Sequence, residues 1–166
     1  MANTVKDSIK TRKIAILAAD GVDDKTLNTL KSAIEAEGAV VEVIAPRLGF
    51  LTSVNDEQIH VDESLLGAAS VLFDAVYVPG GTNSVATLEA DADAVHFLNE
   101  AFKHCKAIAA DADAMQVLEA TYFSKKIEND EGVIISGEAG DLAVQFIAAI
   151  KQHRFWEREK PGKIPA

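Results

Sequence analysis

Three loops and one helix face hold the residues whose types and spacing could do chemistry. The first loop is Asp20-Gly21-Val22-Asp23-Asp24, directly after the apolar run Ile14 to Ala19. A nucleotide site there would aim N–H groups at phosphate, and three carboxylates do the opposite, so a flavodoxin-type nucleotide site is not expected. No P-loop and no G-x-G-x-x-G run occurs in the chain. Paired acids can also form half of a response-regulator phosphorylation site. That site needs a further Asp where this chain has Val78-Pro79-Gly80-Gly81. Asp23 and Asp24 therefore read as helix caps.

The second loop is Pro79-Gly80-Gly81-Thr82-Asn83. Gly80, Gly81 and Thr82 could turn their N–H groups inward as an anion nest. The plainer reading is a tight turn into a helix with Asn83 as N-cap. The third loop, Asp111-Ala112-Asp113-Ala114, lies where this kind of chain places a nucleophile. Nucleophilic catalysis needs Ser or Cys beside His, and this loop offers Ala and Asp. Cys105 falls at the other end of the preceding apolar run and reads as a buried structural thiol. His96, Glu100 and His104 follow one another at i,i+4 steps. Eight residues drift by ~80° at 3.6 per turn, which makes the two histidines poor co-ligands, so no metal is expected. They read as a solvated helix face. His60 and His153 are isolated.

The elements that must position these loops alternate. Lys13–Ala18 reads as a buried strand. A helix follows with Leu27, Leu30 and Ile34 as its apolar stripe, stopped by Gly38. Val40–Ile44 is the next strand, and residues 48–61 form a hairpin turning at Asn55-Asp56. Asp74–Val78 is a strand, residues 83–105 are helical with a break near Ala90, and Ala107–Ala110 is a strand. A helix over Asp113–Ala120, a strand at Val133–Ile135 and a helix over Gly140–Gln152 complete the series. Strands alternating with helices predict an α/β fold: a mostly parallel sheet with helices on both faces, a flavodoxin-like three-layer sandwich. In such folds ligands bind outside the carboxyl ends of the strands, where the three loops lie.

The chain has 166 residues, 48% hydrophobic and 25% charged, which fits one globular domain with short ends. The net charge of −10 is unevenly placed. Residues 1–13 carry Lys6, Lys10, Arg12 and Lys13 against Asp7. Residues 151–166 carry Lys151, Arg154, Arg158, Lys160 and Lys163 against Glu157 and Glu159. Each end is thus +3, and the body between them is −16. So acidic a body repels phosphate backbones, which argues against nucleic acid as a partner. The basic ends read as attachments. No apolar run is long enough to span a bilayer, so no membrane is expected. One cysteine and no visible signal peptide predict a cytoplasmic protein. Phe155 and Trp156 in the basic tail are expected to dock on a surface, because a Trp is costly to leave in water.

The order of elements, with Val78-Pro79-Gly80-Gly81 and the loop after Ala107–Ala110, resembles the PfpI-like (class I glutamine amidotransferase-like) superfamily. Within it the chain is most similar to the C-terminal domain of large-subunit haem catalases. Three stretches carry this: Thr11 to Val22, Val76 to Gly81, and His153-Arg154-Phe155-Trp156 running on to Lys163-Ile164-Pro165-Ala166. The resemblance implies residues 1–12 as a linker from a catalase core, 13–152 as the flavodoxin-like domain and 153–166 as a basic tail. The superfamily's enzymes use a Glu, a Cys and a His whose positions fall on Thr26, Ala112 and Asp113, so no catalytic residue is expected. Cofactors follow the same logic, with none in this chain and haem only in the parent protein. The implied partners are the parent's catalase core and its homotetramer.

The implied function is a non-catalytic accessory domain of an enzyme that decomposes hydrogen peroxide. It would support stability, the oligomer or channel access, with chaperone-like binding of unfolded client proteins as an added reading. The alternative is a stand-alone hydrolase or glyoxalase with its chemistry displaced to Cys105. The basic tail carries the first prediction. Removing residues 153–166 is expected to weaken the body, or its hold on a parent, and the loss shrinks as salt rises. A loss that thermal melts show to be the same at low and high salt would make apolar docking of Phe155 and Trp156 the main term instead.

Overall fold

The computed structural model describes residues 8–159; the expected linker before Ser8 and the tail after Glu159 lie outside the described residues. In chain order the strands and helices are β1 (Lys13–Leu17), α1 (Asp24–Ala36), β2 (Val40–Ala45), β3 (Gly49–Thr52), β4 (Gln58–Val61), β5 (Glu63–Ser64), β6 (Ala75–Val78), α2 (Thr82–Ala90), α3 (Ala92–Lys103), β7 (Ala107–Asp111), α4 (Met115–Glu119), β8 (Val133–Ser136) and α5 (Ala139–Lys151). Six strands make one parallel sheet in the order β5-β2-β1-β6-β7-β8, and β3 and β4 form the hairpin. The strand order reverses between β1 and β6, the place where doubly wound sheets open a crevice. The expected α/β, flavodoxin-like three-layer arrangement is what the chain adopts.

Alternation along each strand divides the core in two. Ile14 and Ile16 of β1, Ala75 and Tyr77 of β6, and Ala107 and Ala109 of β7 face α1 and α5. Ala15, Leu17, Val76, Val78, Ile108 and Ala110 face α2, α3 and α4. Both faces are covered, so these strands read as unbroken apolar runs. The alanines of β7 leave room for Phe146 of α5, whose ring stands 6.3 Å from that of Tyr77.

The loop acids serve these elements. Asp23 is the N-cap of α1, its carboxylate accepting from Lys25 N and Thr26 N. Asp20 accepts from Thr52 N at 2.9 Å, and Asp24 from Asn55 Nδ2 at 2.7 Å, which fastens the hairpin over the strand ends. Asp91 caps α3 and so separates it from α2. One expected cap moves. Asn83 is not the N-cap of α2; Gly81 is, with φ +115°. A Cβ on Gly81 would overlap the carbonyl of Gly21, so the close approach of two loops selects the glycine.

Both ends of the described chain pack into the body. Ile9 is fully buried in the first core. Arg158 reaches back to Asp130 with two parallel bonds, Nε to Oδ2 and Nη2 to Oδ1, each 2.8 Å. Its Nη1 donates to the Lys106 carbonyl at 2.8 Å, and its guanidinium lies 4.2 Å from the Phe102 ring centroid. Such a bidentate, largely buried pair is of the stronger kind. The two ends also meet each other. The Arg12 guanidinium donates to His153 Nδ1, and Arg154 lies 3.9 Å from Asp74. Burial, Arg154 and Arg12 all hold the His153 imidazole below its ordinary value of 6.5.

The sign of that shift gives a prediction. The unfolded chain binds the His153 proton more readily than the folded one, so this residue makes stability fall as pH drops through about 6.5. Urea unfolding at about pH 7 and about pH 5 is expected to show a larger loss for the wild type than for His153→Gln. Equal losses would mean that Nδ1 is not held between the two guanidiniums.

Candidate functional site

The carboxyl ends of β6 and β7 meet at one carboxylate. Tyr77 stands one residue before the end of β6, fully buried. A phenol inside a sheet covered on both sides needs a partner. Its hydroxyl donates to Asp111 Oδ1 at 2.6 Å. The other oxygen, Oδ2, accepts from Gly80 N at 2.7 Å. Asp111 ends β7 and is only 7% exposed. The Gly80 carbonyl in turn accepts from Asp23 N at 2.9 Å, and Ser84 Oγ accepts from Ala19 N at 2.9 Å. Burial, then the charge of Asp111, drives the Tyr77 phenol well above its ordinary range, while the hydroxyl of Thr26 acts in the other direction. The phenol therefore stays protonated and donating.

The positions singled out in the sequence gather around this bond. Thr26 lies in the first turn of α1, bonded to Asp23. Ala112 and Asp113 are exposed in a 3-10 turn that leads into α4. A Cβ added at Gly80 would stand 3.2 Å from Asp113 Cβ. Asp23, Gly81, Thr82, Val85, Asp113 and Gln116 line a shallow hollow at this edge. Its charged lining is two carboxylates. The first N–H of the proposed nest, on Gly80, is already bonded to Asp111. An anion in the hollow would meet Asp23 and Asp113 with Gly81 and Thr82 as its remaining donors.

The other candidates lie elsewhere. Cys105 is fully buried, with φ +64°, at the opposite end of β7. Thiol chemistry requires access, which this placement denies. His96, Glu100 and His104 line one groove with Leu65 and Phe97. Among the described residues no cluster of three His, Cys, Asp or Glu could hold a metal ion. No described helix is long and apolar enough to cross a membrane. In the tail, Phe155 packs against the first core and its N–H donates to the Cys105 carbonyl at 2.6 Å. Trp156 remains 48% exposed.

Two features escaped the sequence reading. The Tyr77–Asp111 bond was signalled only by a hydroxyl and a carboxylate at the ends of two apolar strands. Lys106, 3% exposed, had no signal at all. Its Nζ donates to the Ser70 carbonyl at 2.6 Å, and burial together with Arg154 pulls its ammonium down to about 8.

The carboxylate is the critical half of the closure. Asp111→Ala strands both the phenol and the Gly80 N–H, and is expected to cost about 2–4 kcal/mol. Tyr77→Phe leaves Gly80 paired and should cost ~1–2 kcal/mol. Urea unfolding of the two variants checks the order; the reverse order would show that the phenol bond carries the closure.

Comparison with known proteins agrees with this architecture. In the solved structures the chain is similar to a two-domain protein from Anabaena variabilis with DJ-1/ThiJ/PfpI-like and ferritin-like domains. The TM-score is 0.73 at 24% identity, over 94% of this chain and 50% of that one, a likeness of fold. Among curated proteins it is 40% identical to the catalase HPII of Mycobacterium avium, over 96% of this chain and 24% of that one. It is 37% identical to the catalase HPII of Pseudomonas aeruginosa (99% and 23%) and 34% identical to catalase-1 of Neurospora crassa (93% and 24%). The chain thus spans about a quarter of the length of these relatives. The family model of the C-terminal domain found in long catalases matches residues 10–160, and the chain belongs to that family.

Proposed function

We propose that this chain is the non-catalytic C-terminal accessory domain of a long haem catalase, whose catalytic core decomposes hydrogen peroxide. The observation that carries the reading is the family match over residues 10–160, in relatives about four times longer. Residues 1–12 then lead in from the core and residues 153–166 form the closing tail. The domain stabilises the parent and its tetramer and restricts access to the haem channel.

The chemistry of the site supports a silent role. Thr26, Ala112 and Asp113 stand where the superfamily's enzymes hold a Glu, a Cys and a His, so that set is not present here. Asp111 spends both oxygens on Tyr77 and Gly80. Haem does not fit the described residues. It needs an axial His, Cys, Met or Tyr facing a deep apolar slot. Cys105 and Tyr77 are sealed in the core. The groove beside His96 and His104 is lined by Asp93 and Glu100 as well, so it is not a deep apolar slot. The chemistry of the parent is therefore assigned to its core.

The test compares the long catalase with a form cut back at residue 1, and assays this chain alone. The chain alone is expected to give no Soret band with haem and no oxygen from peroxide. The cut-back form should keep its turnover per haem while its tetramer melts at lower temperature. Oxygen released by the chain alone would overturn the silent role, and an unchanged melt would overturn the stabilising one.

A further inference from the structure

The N-terminal edge of the sheet carries a feature that the family match does not assign. Exposed apolar side chains stand along it in the order of the strands. Val40 opens β2 and is 51% exposed, its N–H bonded to the Arg12 carbonyl. Val71 and Leu72 precede β6 and are 74% and 58% exposed. Asp74, two residues on, donates its N–H to the Lys13 carbonyl, which fixes that turn at the same edge. Trp156 follows Phe155, whose N–H is bonded to the Cys105 carbonyl at the start of β7. Neighbouring strands lie ~4.8 Å apart, so β2, β1, β6 and β7 set these groups in a row about 15 Å long.

Cations are interleaved with the row. Arg12, Lys13 and Arg154 lie on this edge, facing Asp74 and Glu42. The opposite edge carries Asp20, Asp23, Asp24 and Asp113. With three cations against two carboxylates this apolar face is slightly basic on a domain of net charge −10, which suits a partner with an apolar patch rimmed by acids. Thr11, three residues after the described chain begins, also stands here, its N–H bonded to the Gly38 carbonyl two residues before Val40. The domain is C-terminal in the long catalases and makes up about a quarter of their length, so most of such a chain precedes it.

We infer that the N-terminal edge formed by Val40, Val71, Leu72 and Trp156, with Arg12 and Arg154, is the surface that docks on the preceding catalase core. The inference rests on the reading of the chain as a long catalase's C-terminal domain. It fixes which face turns inward: the hollow at Asp23 and Asp113 then points away from the core. The rim charges set orientation and salt dependence, and the apolar row supplies the area removed from water.

Hydrogen exchange tests it on the haem-loaded long catalase and on this chain alone. Amides of residues 70–73 and 40–41 are expected to exchange at least tenfold more slowly in the long form, with residues 48–57 unchanged. In the long form, Val71→Asp with Leu72→Asp should restore fast exchange and speed protease cleavage within residues 1–7, leaving turnover per haem intact. Val144→Asp, on the exposed face of α5, should change neither. Equal exchange in both forms, or protection of 48–57 instead, would overturn the inference. Protection of this edge that grows with the concentration of the chain alone would assign it to a second copy, and overturn it as well. The accessory reading fails separately, by peroxide turnover in the chain alone.

Discussion

The carboxylate of Asp111 joins the ends of two strands to the loop between them and the next helix. It is nearly buried, so leaving it unpaired would be costly, and it accepts from a phenol on one side and a backbone N–H on the other. That pairing fixes Gly80, and Gly80 fixes Asp23 through its carbonyl. Asp23 then starts α1, and Gly81 starts α2. The switch point of the sheet, where a doubly wound fold would open a crevice, is thereby tied across by the protein's own groups. A substrate would have to displace a 2.6 Å bond and a 2.7 Å bond to reach the same space.

At the other edge the same logic of paired charge holds the tail. Arg158 is matched to Asp130 in a planar fork, and its flat face lies on Phe102. Gly132 is needed beneath it, since a Cβ there would strike the guanidinium. The basic ends of the sequence therefore split their duties. Arg158 is spent inside the domain. Arg12 and Arg154 bracket His153 at the surface. The tail is thus a strap on the domain as well as a source of charge.

Much of the fold was readable because its signals are local. Apolar runs of four to six residues gave β1, β2, β6 and β7 to within two residues, the acids after β1 gave the start of α1, and the break expected near Ala90 falls between α2 and α3. What was unreadable depends on register. Tyr77 meets Asp111 only because β6 and β7 pair with Tyr77 opposite Ala109, which brings the end of β7 beside the phenol. Gly81 displaces Asn83 as the cap because a loop from β1, about sixty residues earlier, leaves no room for a side chain. Arg158 and Asp130 are 28 residues apart, joined across α5 by a packing that no periodicity encodes. The candidate site shows the same division. Ala112 and Asp113 could be read from residue types as lacking the Cys-His pair, whereas the bonds of the Asp111 carboxylate needed the structure.

The two edges of the sheet have exchanged roles relative to what the topology favours. The carboxyl edge has the geometry for a ligand but is closed by Asp111 and faced with acids. The amino edge gathers both ends of the described chain, an exposed apolar row and surface cations. A side chain such as Val71, three quarters exposed beside a buried Ser70 and Phe73, is held outward by the 3-10 turn that Lys106 fastens through the Ser70 carbonyl. A buried lysine is a costly anchor, and what it anchors is an apolar projection rather than a core contact. That expense is intelligible if the projection meets another surface. On that reading the amino edge is the presented face, and the carboxyl edge tied by Asp111 is a rigid back for it.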